Sequence, residues 1–421
     1  MSASASHQCG LDFGTSNSAV ALPSGAVLTI DGAAAEPRLY RSVLFFPEDT
    51  RETFSGAAAI EEYLQRSDGR FIQSVKGWLP SSSFHATQIR GKPLKLEELV
   101  ALLLRRIRTA AEAAAGTTLD EVTLGRPAVF DVDAAADALA EQRLRSAAEL
   151  AGFKRIRFVI EPIAAALAYE ASLCSDELVL VADFGAGTSD LTLMRLGPGR
   201  RGAADRRADV VASDGVSIGG DRFDAEIMRR KLLRHFGAGS TYETMGKRMQ
   251  VPMSILGKLL AWHEMSFIRD RATQELIDHI LYTSDNRAAI EALFDLVDEN
   301  LGFRLFRAIE AAKIRLSDAT STRITFDEAR IHIDEPLTRT EFEAFSAPLL
   351  EGLDGCVARL LDGARLPAAG VDAVFLTGGS SQIPAVRALF ERRFGAARLR
   401  TADAFTSVAE GLGRSASTVV G

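Results

Sequence analysis

Two short stretches of the sequence repeat one pattern, and this repeat constrains the fold more than any other feature. LDFGTSNSAV occupies residues 11–20, and ADFGAGTSDLTL occupies residues 182–193. In each, an aspartate near the end of an apolar run precedes glycine and hydroxyl residues, and a second alternating run follows. The pattern predicts two strand–turn–strand hairpins. The length of 421 residues suggests two or three domains, and the repeat favours two similar α/β lobes, each with one hairpin.

Strand–helix patterns follow both hairpins. In the first half, strands are predicted near residues 42–46, 121–130 and 155–162, and helices over 95–115, 134–151 and 163–172. In the second half, strands are predicted over 177–185, 190–196, 209–220 and 371–379, a hairpin over 323–338, and helices over 383–394 and 407–417. The predicted domains are lobe one, 1–172, with an inserted subdomain at about 41–110, and lobe two, 173–421, with an inserted helical subdomain at about 221–305.

Composition excludes several classes of protein. A net charge of −7 and a pI near 5.6 argue against a general nucleic-acid binder, which usually has a basic face. The three cysteines are far apart and form no CxxC pair, so neither zinc nor a disulfide framework is indicated. The N-terminal MSASASHQCG lacks the features of a signal peptide, and no apolar run approaches a membrane span. We therefore expect a cytoplasmic protein that binds neither nucleic acid nor membrane.

The repeated turn has the chemistry of a phosphate site. Glycine allows close approach of the backbone, successive N–H groups form an anion-binding concavity, and Thr15, Ser16, Thr188 and Ser189 add hydroxyl donors. Asp12 and Asp183 would repel phosphate unless a cation such as Mg²⁺ lay between them. One copy alone is equally compatible with an ordinary structural hairpin, but two copies could hold a polyphosphate from both sides. The sequence lacks a GxxxxGK[ST] loop and the protein-kinase motifs that accompany DFG.

Six motifs in order carry a family resemblance: GLDFGTSNS, EPIAAALAYE, VADFGAGTSDLTL, SIGGDRFD, EAAKIRLS and FLTGGSSQIPAV. Together they resemble the nucleotide-binding domain of the 70-kDa heat-shock chaperones, and most closely their short YegD-type homologues. This resemblance implies an actin-like ATPase fold, with ribonuclease H-like sheets in two similar lobes around a central nucleotide cleft. EPIAAALAYE and KIRLS favour the chaperone branch over the sugar kinases. No peptide-binding domain is expected, because the sequence ends soon after the last motif.

The resemblance also implies roles for individual residues. Asp12 and Asp183 would hold Mg²⁺ mainly through its waters, and Lys76 would lie beside the γ-phosphate of ATP. Glu161 and Asp190 would position metal-bound water or the attacking water. The expected phosphate contacts are Gly14, Thr15 and Ser16 in lobe one and Gly185, Gly187 and Thr188 in lobe two. The residues expected to act in catalysis are Lys76, Glu161, Asp183 and Thr188. Without the resemblance, Lys76 would be read as a solvated surface lysine.

Two further groups would contact the adenosine. Gly378, Gly379 and Ser380 follow a buried strand, where glycines permit close backbone–ligand contact. Glu310, Lys313 and Ser317 share one face of a predicted helix and would otherwise be read as an ordinary solvated face. Gly219, Gly220 and Asp221 are expected to form a structural turn and helix N-cap. The arginines at 200–207 are expected to lie in a solvated loop.

Three departures from the family pattern stand out. Ala186 replaces the middle of three glycines, so a positive φ and close phosphate approach would be penalised there. Ile314 and Gln382 occupy the positions of two arginines that sandwich the adenine ring, which weakens the expectation for base affinity and selectivity. Residues 235–300 do not resemble the family closely and are expected to form a helical subdomain.

The leading functional hypothesis is an Hsp70-like protein that binds Mg-ATP or Mg-ADP, hydrolyses ATP slowly, and closes its lobes. Its output would be a conformational signal to an unidentified protein partner or co-chaperone. Three alternatives stay open: a nucleotide-binding scaffold with negligible hydrolysis, a small-molecule kinase of the same superfamily, and an actin-like filament.

Overall fold

The computed structural model describes residues 7–66, 69–131, 133–201, 206–260, 268, 271–401 and 405–416. The described residues divide into two compact units. The first contains those within 1–219, 352–382 and 386–421, and the second contains those within 220–351 and 383–385. The predicted boundary between lobes after residue 172 stays a prediction. Part of the predicted helical subdomain, 261–267 and 269–270, lies outside the described residues.

The described part of the chain contains both strands and helices throughout its length. The strands are β1 (Gln8–Phe13), β2 (Asn17–Ala21), β3 (Tyr40–Arg41), β4 (Val43–Pro47), β5 (Phe54–Ser55), β6 (Gly69–Gln73), β7 (Ala86–Ile89), β8 (Lys92–Lys95), β9 (Glu121–Arg126), β10 (Arg155–Ile160), β11 (Glu177–Phe184), β12 (Ser189–Leu196), β13 (Val210–Val216), β14 (Thr241–Thr244), β15 (Lys247–Gln250), β16 (Ser321–Glu328), β17 (Ile331–Thr338), β18 (Ala373–Thr377) and β19 (Leu399–Thr401). The helices are α1 (Ala57–Arg66), α2 (Leu96–Ala115), α3 (Ala134–Leu150), α4 (Glu161–Glu170), α5 (Gly220–Ile227), α6 (Met253–Leu256), α7 (Arg271–Thr283), α8 (Arg287–Asp298), α9 (Gly302–Asp318), α10 (Arg339–Ala364), α11 (Pro384–Phe394) and α12 (Ser407–Ala416).

The first unit contains the same five-stranded sheet twice. One sheet has the order β10-β9-β1-β2-β3, and the other has the order β19-β18-β11-β12-β13. In both, an antiparallel run of three strands continues into two strands parallel to its first strand. Each sheet therefore begins with one of the two predicted hairpins. The predicted α/β fold class, with a repeated ribonuclease H-like sheet, is confirmed.

Two helices connect these sheets within the first unit. Helix α4 follows β10 of the first sheet and packs on β11 and β12 of the second. Helix α12 follows β19 of the second sheet and packs on β1 and β9 of the first. The helices also contact each other so closely that a Cβ on Gly411 would lie 1.7 Å from the carbonyl oxygen of Ala164. Because each sheet is covered by a helix that follows the other, both hairpins belong to one packed body.

Several local predictions are wrong, and three of them have a clear physical reason. The strand predicted over 121–130 ends at Arg126, because Pro127 has no N–H for the ladder. The helix predicted to begin at 163 begins at Glu161, because proline fits the first turn of a helix and continues it. The region predicted to be mostly helical from 221 contains the β14–β15 hairpin, whose turn includes Gly246 at φ 70°.

Candidate functional site

The two repeated motifs form hairpins of the same design. The last pairs before the turns are Phe13–Ser18 in β1–β2 and Phe184–Ser189 in β11–β12. Each turn therefore contains four residues, 14–17 in the first and 185–188 in the second. The predicted phosphate-contacting hydroxyls of Thr15, Ser16 and Thr188 lie in these turns and are half-buried.

Both metal-site aspartates occupy the same place in their hairpins, one residue before the phenylalanine that closes the ladder. Asp12 lies directly opposite Ala19 on β2, whereas Asp183 lies directly opposite Asp190 on β12. Asp190 accepts a hydrogen bond from the Thr188 hydroxyl at 3.1 Å. The second hairpin therefore has two carboxylates where the first has one.

The first glycine of each turn differs in how much room it has. A Cβ on Gly14 would lie 2.1 Å from the carbonyl oxygen of Asn17, so only glycine fits this backbone. A Cβ on Gly185 would lie 3.3 Å from the carbonyl oxygen of Thr188, which is tight but tolerable. The N–H of Gly185 donates to that same oxygen at 2.9 Å and closes the turn.

Ala186 does not strain the second turn. Its φ lies outside the left-handed region that penalises side chains, as do the φ angles of Gly185 and Gly187. The expectation of a positive φ at this position is therefore wrong. The backbone of Gly219 packs closely against Ala186 instead, and a Cβ at Gly219 would lie 2.3 Å from the carbonyl oxygen of Ala186. Gly219 thus lets the chain after β13 pass directly against the turn.

Lys76 is buried and ion-paired, so its reading as a solvated surface lysine is wrong. It lies on a short 3₁₀ turn, Val75–Trp78, and only 8% of its surface is exposed. Its Nζ donates to Oε1 of Glu161 at 2.6 Å. Burial opposes the charged amine, but Glu161, Asp12 and Asp183 outweigh it and raise the pKa of Lys76. The ammonium is therefore charged at every physiological pH.

Glu161 is held by the start of α4. As the first helical residue it lies at the positive end of the helix dipole, which stabilises a carboxylate. Its side chain packs over Gly125 of β9, where a Cβ would lie 3.0 Å from Cγ of Glu161. Sequence reasoning missed Gly125, although a glycine inside a predicted strand is the known sign of such a close approach.

The carboxylates of Asp12, Asp183 and Asp190 lie within electrostatic reach of this ion pair. Burial raises the pKa of Asp12 to about 7, and the charge of Glu161 adds to the effect. Burial and Glu161 also raise the pKa of Asp190 to about 6. The pKa of Asp183 is raised through burial, Glu161, Asp12 and Asp190. The structure thus brings these predicted residues together, with more negative charge than one lysine neutralises.

The donor set of these residues fits a hard divalent cation. Carboxylates and hydroxyls are oxygen ligands, which Mg²⁺ accepts while keeping several of its waters. Within the described part of the chain, no three His, Cys, Asp or Glu side chains lie close enough to enclose a metal directly. Contact of Asp12 and Asp183 through metal-bound water is compatible with that spacing and stays a prediction.

The predicted adenosine residues of the first unit lie beside the second hairpin. Thr377, the last residue of β18, is the parallel partner of Asp183, and Gly378 follows it. Gly378 has a φ of 80°, and a Cβ there would lie 2.2 Å from the carbonyl oxygen of Phe184. Gly379 and Ser380 begin the next 3₁₀ turn, Gly379–Gln382, and Ser380 is buried. Their contact with adenosine stays a prediction.

The other predicted adenosine residues, Glu310, Lys313 and Ser317, lie on α9 of the second unit. Lys313 Nζ donates to Oδ2 of Asp224 at 2.8 Å and to the carbonyl oxygen of Gly220 at 3.2 Å. Burial opposes its charge, but Asp224, Glu310 and Asp221 raise its pKa. Burial raises the pKa of Asp221 to about 7. The adenosine role of this face stays a prediction.

The expected N-cap at Asp221 is wrong. Asp221 is the second residue of α5, which begins at Gly220.

The positions of the two missing arginines are solvent-accessible. Ile314 on α9 is 58% exposed, and Gln382 is also exposed. Arg315, the neighbouring cation, donates to the Thr322 hydroxyl at 2.8 Å and to the carbonyl oxygen of Arg323 at 2.9 Å. Arg315 therefore serves the local contact between α9 and β16.

The loop arginines after β12 are not all solvated. The Arg206 side chain is only 9% exposed, and it donates to both carboxylate oxygens of Glu170, at 2.7 and 2.8 Å, and to Oδ2 of Asp209 at 2.6 Å. Arg201 donates to the backbone carbonyls of Glu170 and Leu173. The prediction of a solvated loop is therefore wrong for Arg206. Residues 202–205 of the loop lie outside the described residues.

Comparison with known families places the chain beside a family of known description. A family model described as Hsp70 protein matches residues 80–251 and 270–421, well over half of the chain. The matched ranges contain Glu161, the second hairpin and α9, whereas the first hairpin and Lys76 precede them. Among the described helices, none is long and apolar enough to cross a membrane.

Proposed function

Because the chain belongs to the Hsp70 protein family, we propose that it binds Mg-ATP or Mg-ADP at the two hairpins and slowly hydrolyses ATP. The buried Lys76–Glu161 pair, next to the carboxylates of Asp12 and Asp183, is the observation that carries the proposal. A buried cation among carboxylates is costly unless it serves a ligand or a network. Phosphate chemistry gives this arrangement a use.

The two turns would bind the phosphates from both sides. Backbone N–H groups at glycine-rich turns form anion sites, and hydroxyls add further donors. The residues assigned to this role are Gly14, Thr15, Ser16, Gly185, Gly187 and Thr188. A bound magnesium ion would supply the positive charge that allows the carboxylates and the phosphates to share one site.

The remaining residues would act on water and on charge. Lys76, held by Glu161, would neutralise the charge that develops on the γ-phosphoryl group. Glu161 and Asp190 would accept hydrogen bonds from the attacking water, while Asp183 and Thr188 fix its surroundings. Positioning and charge stabilisation are what γ-phosphoryl transfer mainly requires. In this proposal, nucleotide state biases lobe closure, which an unidentified protein partner or co-chaperone reads in the cytoplasm.

A nucleotide-binding scaffold with negligible hydrolysis is the second candidate. It is favoured by the apolar, 58% exposed Ile314, because a side chain without charge cannot hold the adenine ring as a stacked arginine does. A loosely held base would leave nucleotide binding dependent on the phosphates. Small-molecule kinase activity stays the third alternative.

The test measures binding and hydrolysis separately. Mg-ATP and Mg-ADP affinities come from calorimetry, and hydrolysis comes from single-turnover assays without any added acceptor. Lys76→Met keeps the buried stem and removes the charge, so we expect hydrolysis to fall on the order of 10²–10³-fold. Lys92→Met, at an exposed position on β8, is the matched control and should leave the rate unchanged.

Each result selects one reading. Failure to bind any nucleotide would sink the proposal. Tight ATP binding without hydrolysis would select the scaffold, and phosphoryl transfer that requires an added acceptor would select the kinase. Equal rates for Lys76→Met and wild type would remove Lys76 from the catalytic machinery.

A further inference from the structure

A buried arginine on α3 has no part in the function proposed above. Arg143 is 5% exposed. Its Nη1 donates to the carbonyl oxygens of Leu79 at 3.0 Å and Ser81 at 2.9 Å, and its Nη2 donates to that of Phe84 at 3.1 Å. Its Nε lies 3.3 Å from Oε1 of Glu97, close enough for an ion pair but without hydrogen-bond geometry. One guanidinium thus binds three carbonyls of a single short segment.

That segment continues directly from the turn that carries Lys76. The N–H of Leu79 donates to the carbonyl oxygen of Lys76 at 3.2 Å. The carbonyl of Leu79 then accepts from Arg143. The rings of Trp78 and Phe84 lie 5.2 Å apart and fold the segment back on itself. A chain of two hydrogen bonds therefore joins the guanidinium to the backbone of Lys76.

The backbone just before the turn that carries Lys76 has an unfavourable conformation. Ser74 is buried and has a left-handed φ of 57°. Residues other than glycine rarely adopt this backbone conformation. Such a conformation persists only when its surroundings hold it. On the N-terminal side, Gln73 is fixed by pairing with Val43 of β4. On the C-terminal side, Arg143 supplies the hydrogen bonds.

We propose that Arg143 is a positioning residue that fixes the backbone of Lys76 so that its ammonium meets Glu161 at the site. Burying a guanidinium beside three carbonyls and one carboxylate costs more than packing an apolar side chain of the same volume. Three carbonyls in different directions match the fixed fork of arginine, which a lysine amine does not reproduce. The catalytic part of this inference rests on the proposed function, whereas its structural part does not.

The experiment therefore uses two independent readouts. Hydrogen–deuterium exchange of peptides covering residues 74–84 reports the segment itself. In Arg143→Met we expect exchange there to rise about tenfold or more, with β11 and β18 unchanged. Single-turnover hydrolysis reports the effect on Lys76. Here we expect a fall of about 10–100-fold with a nearly unchanged Mg-ATP dissociation constant.

A double-mutant cycle separates positioning from general stability. If Arg143 acts through Lys76, adding Arg143→Met to Lys76→Met changes the remaining rate less than about twofold. The control is Arg90→Met. Arg90 also donates to three backbone carbonyls, that of Pro47 at the end of β4 and those of Arg51 and Glu52 in the loop that follows, and none of these is a site residue. Arg90→Met should leave hydrolysis unchanged.

The inference is overturned if Arg143→Met lowers the hydrolysis rate by the same factor in the wild type and in the Lys76→Met variant. It is also overturned if hydrogen–deuterium exchange over residues 74–84 does not change. An inactive wild type would end the proposed function, and exchange would still decide the structural part. Should Arg143→Met fail to fold, Arg143→Lys keeps the charge and only part of the hydrogen bonding. Its exchange over 74–84 must then exceed that of the wild type, and exchange at wild-type level overturns the inference.

Discussion

The two hairpins share a backbone but differ in charge. Both have four-residue turns and an aspartate in the same register, yet Asp12 faces Ala19 whereas Asp183 faces Asp190. The two turns also differ in whether they tolerate a side chain at their first glycine. Gly14 has no room for a Cβ, whereas Gly185 has some. The comparison teaches that the repeated motif determines the shape of the turn, while the residue across the strand determines its electrostatics.

Making the first hairpin resemble the second should have the largest effect. Ala19→Asp places a carboxylate opposite Asp12 at a fully buried position. Like charges opposite each other repel, and a buried unpaired charge costs about 3–5 kcal/mol of unfolding free energy. Urea unfolding near neutral pH should show this loss, and a smaller loss near pH 5, where carboxyls with raised pKa take up protons.

Ala19→Asn is the control for that substitution. It adds a side chain of the same size without charge, so its cost should not depend on pH. Equal, pH-independent losses for Asp and Asn would mean that size rather than charge distinguishes the hairpins.

The glycines provide the next largest contrast. Gly14→Ala would force a Cβ to within 2.1 Å of a carbonyl oxygen, so the turn must shift, at a cost of roughly 1–3 kcal/mol. Gly185→Ala meets its nearest atom at 3.3 Å and should cost less than about 1 kcal/mol. Denaturant unfolding measures both, and calorimetry with Mg-ATP should show weaker binding for Gly14→Ala. Similar costs at the two positions would contradict the geometry.

Removing the extra carboxylate of the second hairpin should stabilise the protein without magnesium. The folded pKa of Asp190, about 6, exceeds the ordinary value of 3.8, so the folded state holds more protons between these pH values. Stability from this group is therefore lost as pH rises from about 4 to about 6. Asp190→Asn should raise the unfolding free energy above that window by about 1–2 kcal/mol, after allowing for its lost hydrogen bonds, and change little near pH 4.

The control for this pH profile is Asp362→Asn, at an exposed position on α10. Its unfolding free energy should follow the wild type at every pH. If the unfolding free energy of Asp190→Asn varied with pH as that of the wild type does, the Asp190 carboxylate would not have the raised pKa given above.

The smallest effect is expected at Ala186. Because this residue needs no left-handed backbone, Ala186→Gly should not improve phosphate binding. Glycine adds freedom to the unfolded chain, so a loss of about 0.5–1 kcal/mol in unfolding free energy is expected. Calorimetry with Mg-ADP checks the first point. Clearly tighter binding would restore the view that the methyl group weakens this turn.

Sequence patterns predicted what is local. The two hairpins, the strand before Gly378 and the helix carrying Lys313 are set by periodicity and turn residues within about ten positions. The roles of Lys76 and Glu161 came from the family resemblance, and the structure supplies the ion pair between them.

Most of what was missed depends on pairing between distant residues or on dihedral angles. Arg206 meets Glu170 across 36 positions, and Arg143 meets the segment at 79–84 across about 60. No local pattern distinguishes these arginines from solvated ones, because burial is decided by tertiary packing. The angle at Ala186 was inferred from the glycines of relatives, but glycine also occurs where no positive φ is needed. Glu161 was predicted to lie in the strand over 155–162, but it is the first residue of α4.

The crossing of α4 and α12 has a consequence for the timing of folding on the ribosome. The first sheet is complete once residue 160 has been made, but one of its faces is covered by α12, residues 407–416. At bacterial to eukaryotic synthesis rates, roughly 250 further residues take about 10–50 s. During that interval the face of β1 and β9 that α12 covers has no helix on it, so the first sheet completes its packing only after residues 407–416 have been made.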